Sequence, residues 1–354
     1  MNKHSGISRS VPSVSRQHNV QTPSAPITDT FIKNQTPIFV LILSLAVAAY
    51  HLNPDDLILR SFFFLSYKQP NGTYLVGPLD LITSLSFTVL LTLARGLLMD
   101  HVFIPLAAAL NVSPGKRAQR FAEQAWTFIY YTPLFIYGLI VYINSPYAFD
   151  KSNLWKDWPH LTLSHSFKLY YLIQVGFWLH QLYVLNIEER RKDYYQMLSH
   201  HICTSTLVLL SYYFHMFRVG HCILVLMDFV DITLPLAKML KYTNHPTLCD
   251  CAFVNFIISW IVTRHYMYIL LVWSVLYDAS SLIPYGTCIS PEGDFFNSSS
   301  PRCFTRSVHY TFVGMLCFIQ ILTILWFTAI VKVALKVLKG DGAEDSRSDD
   351  ENED

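Results

Sequence analysis

The feature that most constrains this chain is a series of long apolar runs, each near membrane length, separated by short clusters of charge. A bilayer's hydrocarbon core takes ~20 apolar residues of helix. Backbone polar groups have no water to bond to there, so a segment crossing lipid must satisfy them internally, as a helix does. Charged residues form 14% of the chain and hydrophobic ones 52%, whereas a soluble domain carries roughly 25% charged residues. The fold class read from this is an all-α multi-pass membrane protein with seven to eight transmembrane helices. Spans are expected at about 36–52, 79–99, 127–146, 168–187, 197–216, 219–240, 252–276 and 308–337. The net charge of +1 offers nothing to a nucleic acid.

The two ends differ in kind from the middle. Residues 1–30 are Ser- and Pro-rich with little apolar clustering, and read as a disordered N-terminus that is no cleaved signal peptide. Residues 339–354 read as an acidic disordered tail, in which Ser346 and Ser348 lie among carboxylates. Between them, Lys and Arg gather on one side of the expected spans, at 116–120, 188–192, 238–241 and 332–339. By the positive-inside rule that side is cytosolic, and both termini with it. Cys288 and Cys303 would then be the only luminal cysteines, an expected disulfide. Asn71 and Asn297 head luminal sequons and are the glycosylation candidates, while Asn111 should stay bare.

Polar residues inside the spans carry the chemistry. A carboxylate at the centre of a membrane helix costs about 2.5–3.5 kcal/mol. Asp228 and Asp231 stand three apart in VLMDFVDITLPL, near one helix face. His200 and His201 open the preceding span, and a tight connection makes the two spans antiparallel neighbours. Packing alone could explain the carboxylates, but a His pair facing an Asp pair suits acid–base work better. Arg264 could pair with an Asp or with a ligand's phosphate. His180 and Gln181 could bond a substrate hydroxyl or tie helices together, and His265 follows Arg264 in the same span. Arg95 reads as snorkelling to the surface, His215 and His221 as interfacial, and Pro235 as a kink after the Asp pair.

The stretch from Leu169 to Tyr242, through YYLIQVGFWLHQ, ERRKDYYQMLSHH, SYYFH, MDFVDI and LAKMLKY, resembles the signature of the ceramide synthases, a family within the TLC domain. Arg264-His265 and WSVL at 273–276 are similar to its fungal branch. No homeobox-like insertion lies between the second and third spans. The resemblance implies catalysis by His200, His201, Asp228 and Asp231 and a TLC domain over 117–338. It implies a six-helix barrel of spans three to eight around a central cavity, with two peripheral helices in 31–116. It further implies an endoplasmic reticulum membrane enzyme that joins the acyl group of acyl-CoA to a sphingoid base; no cofactor or metal is expected, although His200, His201, Asp228 and Asp231 are metal-ligand types. A small single-span regulatory subunit, or a homo- or heterodimer, is a possible partner besides membrane lipid.

The chemistry asks for a base to take the amine's proton, or for an imidazole that first accepts the acyl group. Acyl-CoA must approach from the cytosolic side, where Lys116, Arg117, Arg120, Arg190, Arg191 and Lys192 frame the way to His200. Two rivals remain. A non-catalytic TLC-domain lipid sensor or transporter would share the helices. A di-iron hydroxylase would use histidines such as His160 and His165, which fall on the wrong side.

Overall fold

The computed structural model describes residues 35–188, 191–289, 296 and 301–338. Among them there is no strand, only three isolated bridges, and the regular elements are helices. They are α1 (Gln35–Leu52), α2 (Leu57–Phe63), α3 (Leu79–Ala109), α4 (Lys116–Ile143), α5 (His165–Ile187), α6 (Tyr194–Tyr213), α7 (Phe217–Asp228), α8 (Val230–Tyr242), α9 (Pro246–Leu282) and α10 (Arg306–Leu338). Both tails, Arg190 and Asn297 lie outside the described residues.

Among the described residues five helices are long and apolar enough to cross a membrane: α1, α3, α4, α9 and α10, the last counted to Val337. The chain is a multi-pass membrane protein. The other three expected spans are helical too: α5 and α6 carry more polar residues, among them His180 and Gln181, His200 and His201, while α7 and α8, at 12 and 13 residues, are each short of membrane length. The expected boundaries shift at several points. Helix α3 runs ten residues beyond 99, through a π-helical turn at Met99–Phe103, and α4 starts eleven residues before 127. The sixth expected span is interrupted at Phe229, one turn and a half before Pro235. There Ile232 N–H reaches back only to the Phe229 carbonyl, at 3.3 Å. The lapse in the ladder thus falls between the two carboxylates, and Pro235 lies inside α8.

Packing centres on α5, which contacts α3, α4 and α6. Gly176 is what lets α3 approach, since a Cβ there would stand 2.7 Å from the Ser84 carbonyl oxygen and 2.6 Å from Phe87 Cβ. Thr88 Oγ1 uses that closeness to donate to the Gly176 carbonyl at 3.0 Å. Below it, Lys168 Nζ meets Asp80 Oδ1 at 2.7 Å with both side chains almost fully buried. Every strong group of this pair is answered. Lys168 also donates to the Ser66 and Leu75 carbonyls, and Asp80 accepts from Tyr212 Oη and Gly77 N. Such a pair costs about 3–5 kcal/mol to break from one side.

The end of the bundle opposite the Lys and Arg clusters is closed by the loop between α4 and α5. Trp155 Nε1 donates to Ser274 Oγ at 2.9 Å and Trp158 Nε1 to the Phe214 carbonyl at 3.2 Å. The same end carries a disulfide between Cys288 and Cys303 and, in an exposed turn, Asn71. Asn111 is exposed at the other end of α3. His215 and His221 are buried rather than interfacial. His221 bonds Tyr147 Oη at 2.7 Å and the Gly138 carbonyl at 3.1 Å, while His215 bonds the His160 carbonyl. Arg95 does not snorkel either: it is 6% exposed and bonds Glu188 at 2.5 Å.

Candidate active site

Three connected hollows meet around the start of α6. A wide chamber at the basic end is lined by Arg191, Lys238 and Lys241 with Phe253, Trp260 and Trp326. A narrow slot runs from it toward the opposite end between α6, α7, α9 and α10, past Leu207, Leu224, Val275 and Leu316 to Trp155, Ala279 and Phe304. Space open to a water-sized molecule is about 310 Å³ in the chamber and about 80 Å³ in the slot. Four residues border both: Trp178, His200, Asp231 and Arg264. A third, polar hollow of about 180 Å³ adjoins the chamber between α3, α4, α5 and α6.

The junction is built by local backbone features. His200 and His201 are consecutive on α6 and so point ~100° apart. His200 faces the junction, with its ring 5.2 Å from Trp326 and 5.7 Å from Trp178. His201 borders the chamber and the polar hollow, and its Nδ1 donates to the Met197 carbonyl at 2.7 Å. A carbonyl only accepts, so the proton sits on Nδ1 and Nε2 keeps its lone pair. Arg264 lies in a π-helical segment of α9, Ile261–Met267, where the wider turn changes which side chains face the cavity. Its guanidinium bonds Asp231 Oδ1 at 2.8 Å and the Met227 carbonyl at 3.2 Å, and stacks 4.6 Å above Trp260.

The structure divides the other expected site residues. Asp228 lines none of these hollows. It is buried behind the wall, accepting from Gln174 Nε2 at 2.7 Å in a cluster with Tyr170 and Tyr130. The two carboxylates thus have different partners, Gln174 for Asp228 and Arg264 for Asp231. His180 is fully buried, bonded to Thr92 Oγ1 at 2.9 Å, and ties α5 to α3. His265 turns to α10, accepting from Gln320 Nε2 at 3.0 Å. Gln181 and Arg191 border the chamber and the polar hollow, and Lys192 is exposed. Arg120 and Arg191 both bond Glu123, and Lys116 and Arg117 are exposed.

Trp178, Trp326, Lys238 and Lys241 border these hollows without having stood out as site residues. An aromatic at helical spacing reads as core, and only the fold sets these two tryptophans against His200. His160 packs on Phe217 and His165 bonds Tyr74 Oη. Burial pushes the His160 imidazole down to about 4, with the Arg218 charge adding to the effect. Among the described residues no three His, Cys, Asp or Glu side chains gather where a metal could sit.

The fold and the site together define an all-helical membrane protein with a His–Asp–Arg junction between a basic chamber and an apolar slot. Residues 120–332 match the TLC domain family. Over its whole length the chain is 38% identical to sphingosine N-acyltransferase lag1 of Schizosaccharomyces pombe, covering 90% of that protein. It is 36% identical to ceramide synthase FUM18 of Gibberella moniliformis over 82% of this chain and 73% of that one. Against ceramide synthase LAG1 of Saccharomyces cerevisiae it is 31% identical, over 90% and 76%. The chain belongs to the TLC-domain family, among its sphingosine N-acyltransferases, the ceramide synthases.

Proposed function

We propose that the chain makes ceramide at the junction of chamber and slot, by moving an acyl group from acyl-CoA to the amine of a sphingoid base. The observation that carries this reading is the meeting of a basic chamber and a narrow apolar slot at His200, Asp231 and Arg264. A CoA moiety carries several phosphate charges and needs cations and water. The chamber supplies Arg191, Lys238 and Lys241. A fatty acyl chain needs a dry, narrow channel, which the slot supplies. With the thioester at the neck, the amine lone pair attacks the carbonyl carbon and the carbon–sulfur bond breaks. His201 Nε2 takes the proton lost by nitrogen and returns it to the departing thiolate. Arg264, held by Asp231, is the cation best placed for the developing oxyanion. Asp228 positions α7 and α5 through Gln174.

The wider setting follows from the same reading. The chain crosses the endoplasmic reticulum membrane seven or eight times with both termini in the cytosol. Helices α4 to α10 form the barrel of the TLC domain over 117–338, and α1 to α3 lie at its side. A single-span subunit or a second copy is a fitting partner. In the test, purified protein receives sphinganine and a ladder of acyl-CoAs, with products read by mass spectrometry. His200→Ala and His201→Ala should each abolish ceramide while leaving folding and insertion intact. Full turnover in either well-folded variant would remove that residue from the chemistry.

A further inference from the structure

The polar hollow beside His201 has contents that the acyl-CoA route does not use. Among the described residues it is bordered by three carboxylates, Glu123, Glu188 and Asp193, and by two guanidiniums, Arg95 and Arg191. The adjoining chamber is bordered by four cations, Arg191, Lys238, Lys241 and Arg264, and by one carboxylate, Asp231. Across the wall that holds His201, Gln124 and Gln181, the described charges therefore differ: with Arg120 on Glu123 the hollow's three carboxylates meet three guanidiniums, whereas the chamber is strongly basic. An anionic donor is attracted to one side only.

Two further features point to a ligand rather than to a closed ion-pair network. Trp126 borders the hollow and is 6% exposed, yet its indole N–H is buried without an acceptor. Arg95, equally buried, leaves its Nε–H without an acceptor although its Nη2 bonds Glu188. Buried donors of this kind are costly unless something accepts from them. Among the carboxylates, Arg120 and Arg191 both bond the same oxygen of Glu123, Oε2, and Oε1 carries neither bond. The hollow thus offers carboxylate oxygens to a cation and N–H donors to neighbouring oxygens, at about the size of a polar head group.

We infer that this hollow is the head-group site of the acceptor: a long-chain amino alcohol whose ammonium meets Glu123 and Glu188 and whose hydroxyl oxygens accept from Trp126 Nε1 and Arg95 Nε. The inference rests on the acyltransferase reading above. It adds that the two substrates approach the neck from different hollows, both bordered by His201. The ammonium leaves its first proton with Glu123, which passes it to water, and the neutral amine then moves to the neck, where His201 Nε2 takes the second proton as the thioester is attacked.

The experiment uses the full-length protein in lipid nanodiscs. Glu123→Gln should raise the KM for sphinganine at least tenfold and leave that for acyl-CoA within twofold. Trp126→Phe keeps the ring and removes only the N–H, so it stands in if Glu123→Gln fails to fold, and it should raise the same KM three- to tenfold. Thermal unfolding with ligand alone supplies a readout independent of turnover. Sphinganine should raise the Tm of the unsubstituted protein most, octadecylamine less, and octadecanol least, and the two variants should blunt the sphinganine shift. Unchanged KM and unchanged Tm shifts in a folded variant would overturn the head-group site, as would equal rises in both KM values. Strong sphinganine stabilisation lost in the variants, with no ceramide made by the unsubstituted protein, would instead overturn the acyltransferase reading and leave the site standing.

Discussion

Replacing Ala279 with leucine should shorten the acyl chain this enzyme prefers by about two carbons. Ala279 lies at the blind end of the slot, fifteen residues after Arg264 on the same helix, α9. At 1.5 Å per residue that is about 22 Å of depth, slightly less where the helix is π-wound. Carbon–carbon bonds of about 1.5 Å advance an all-trans chain by about 1.25 Å per carbon, so the slot takes roughly 16–18 carbons. A leucine side chain at its end would fill about 2.5 Å, the length of two methylenes. Each methylene refused burial costs about 0.8 kcal/mol. Two cost about 1.6 kcal/mol, a roughly 15-fold fall in kcat/KM for an 18-carbon donor relative to a 16-carbon one, at 1.4 kcal/mol per tenfold. The added bulk also costs about 1–3 kcal/mol of packing, so Tm is measured alongside. The assay is competition among acyl-CoAs of graded length with sphinganine as acceptor. An unchanged length profile in a folded variant would refute the reasoning. So would a preference of the unsubstituted enzyme for chains well beyond 20 carbons.

Asp231→Asn should lose at least an order of magnitude in kcat, because it frees Arg264 at the junction, whereas Asp228→Asn should keep most turnover by still accepting from Gln174; the opposite ranking in steady-state kinetics would contradict the assigned roles. Lys168→Met should lower stability by about 3–5 kcal/mol by leaving Asp80 buried and unpaired, and a denaturation midpoint equal to that of the unsubstituted protein would show the pair to be dispensable. His160 titrates near 4 in the folded protein and near 6.5 when unfolded. Between those values the unfolded state binds more protons, so this residue's contribution to stability is lost as pH falls from about 6.5 toward 4, by up to roughly 3 kcal/mol. His160→Phe should flatten that part of the stability profile, and an unaltered acid limb would refute it.

The sequence by itself determined the class. Apolar runs of membrane length leave a chain no choice but helices, since lipid satisfies no backbone group, and helix existence was legible at each expected span. Family membership was legible from one 74-residue stretch, because residue types in order and spacing survive in sequence even where their geometry does not. His200 and His201 stood out because polar side chains are costly in lipid and need a reason to be there.

Only the tertiary structure separated Asp228 from Asp231. Their spacing puts them near one helix face, but Asp228 meets Gln174 of α5 and Asp231 meets Arg264 of α9, partners 54 and 33 residues away that no local pattern reports. The expectation that Arg95 would snorkel failed for a related reason. Its partner, Glu188, lies 93 residues away, and no local pattern reports a contact across that distance. The buried Lys168–Asp80 pair, the turn of Arg264 toward the cavity and of His265 away from it, and the two tryptophans around His200 are decided in the same way. Residue type sets what a side chain can do, but burial and partners are set by which helices meet, and that depends on packing summed over the whole bundle.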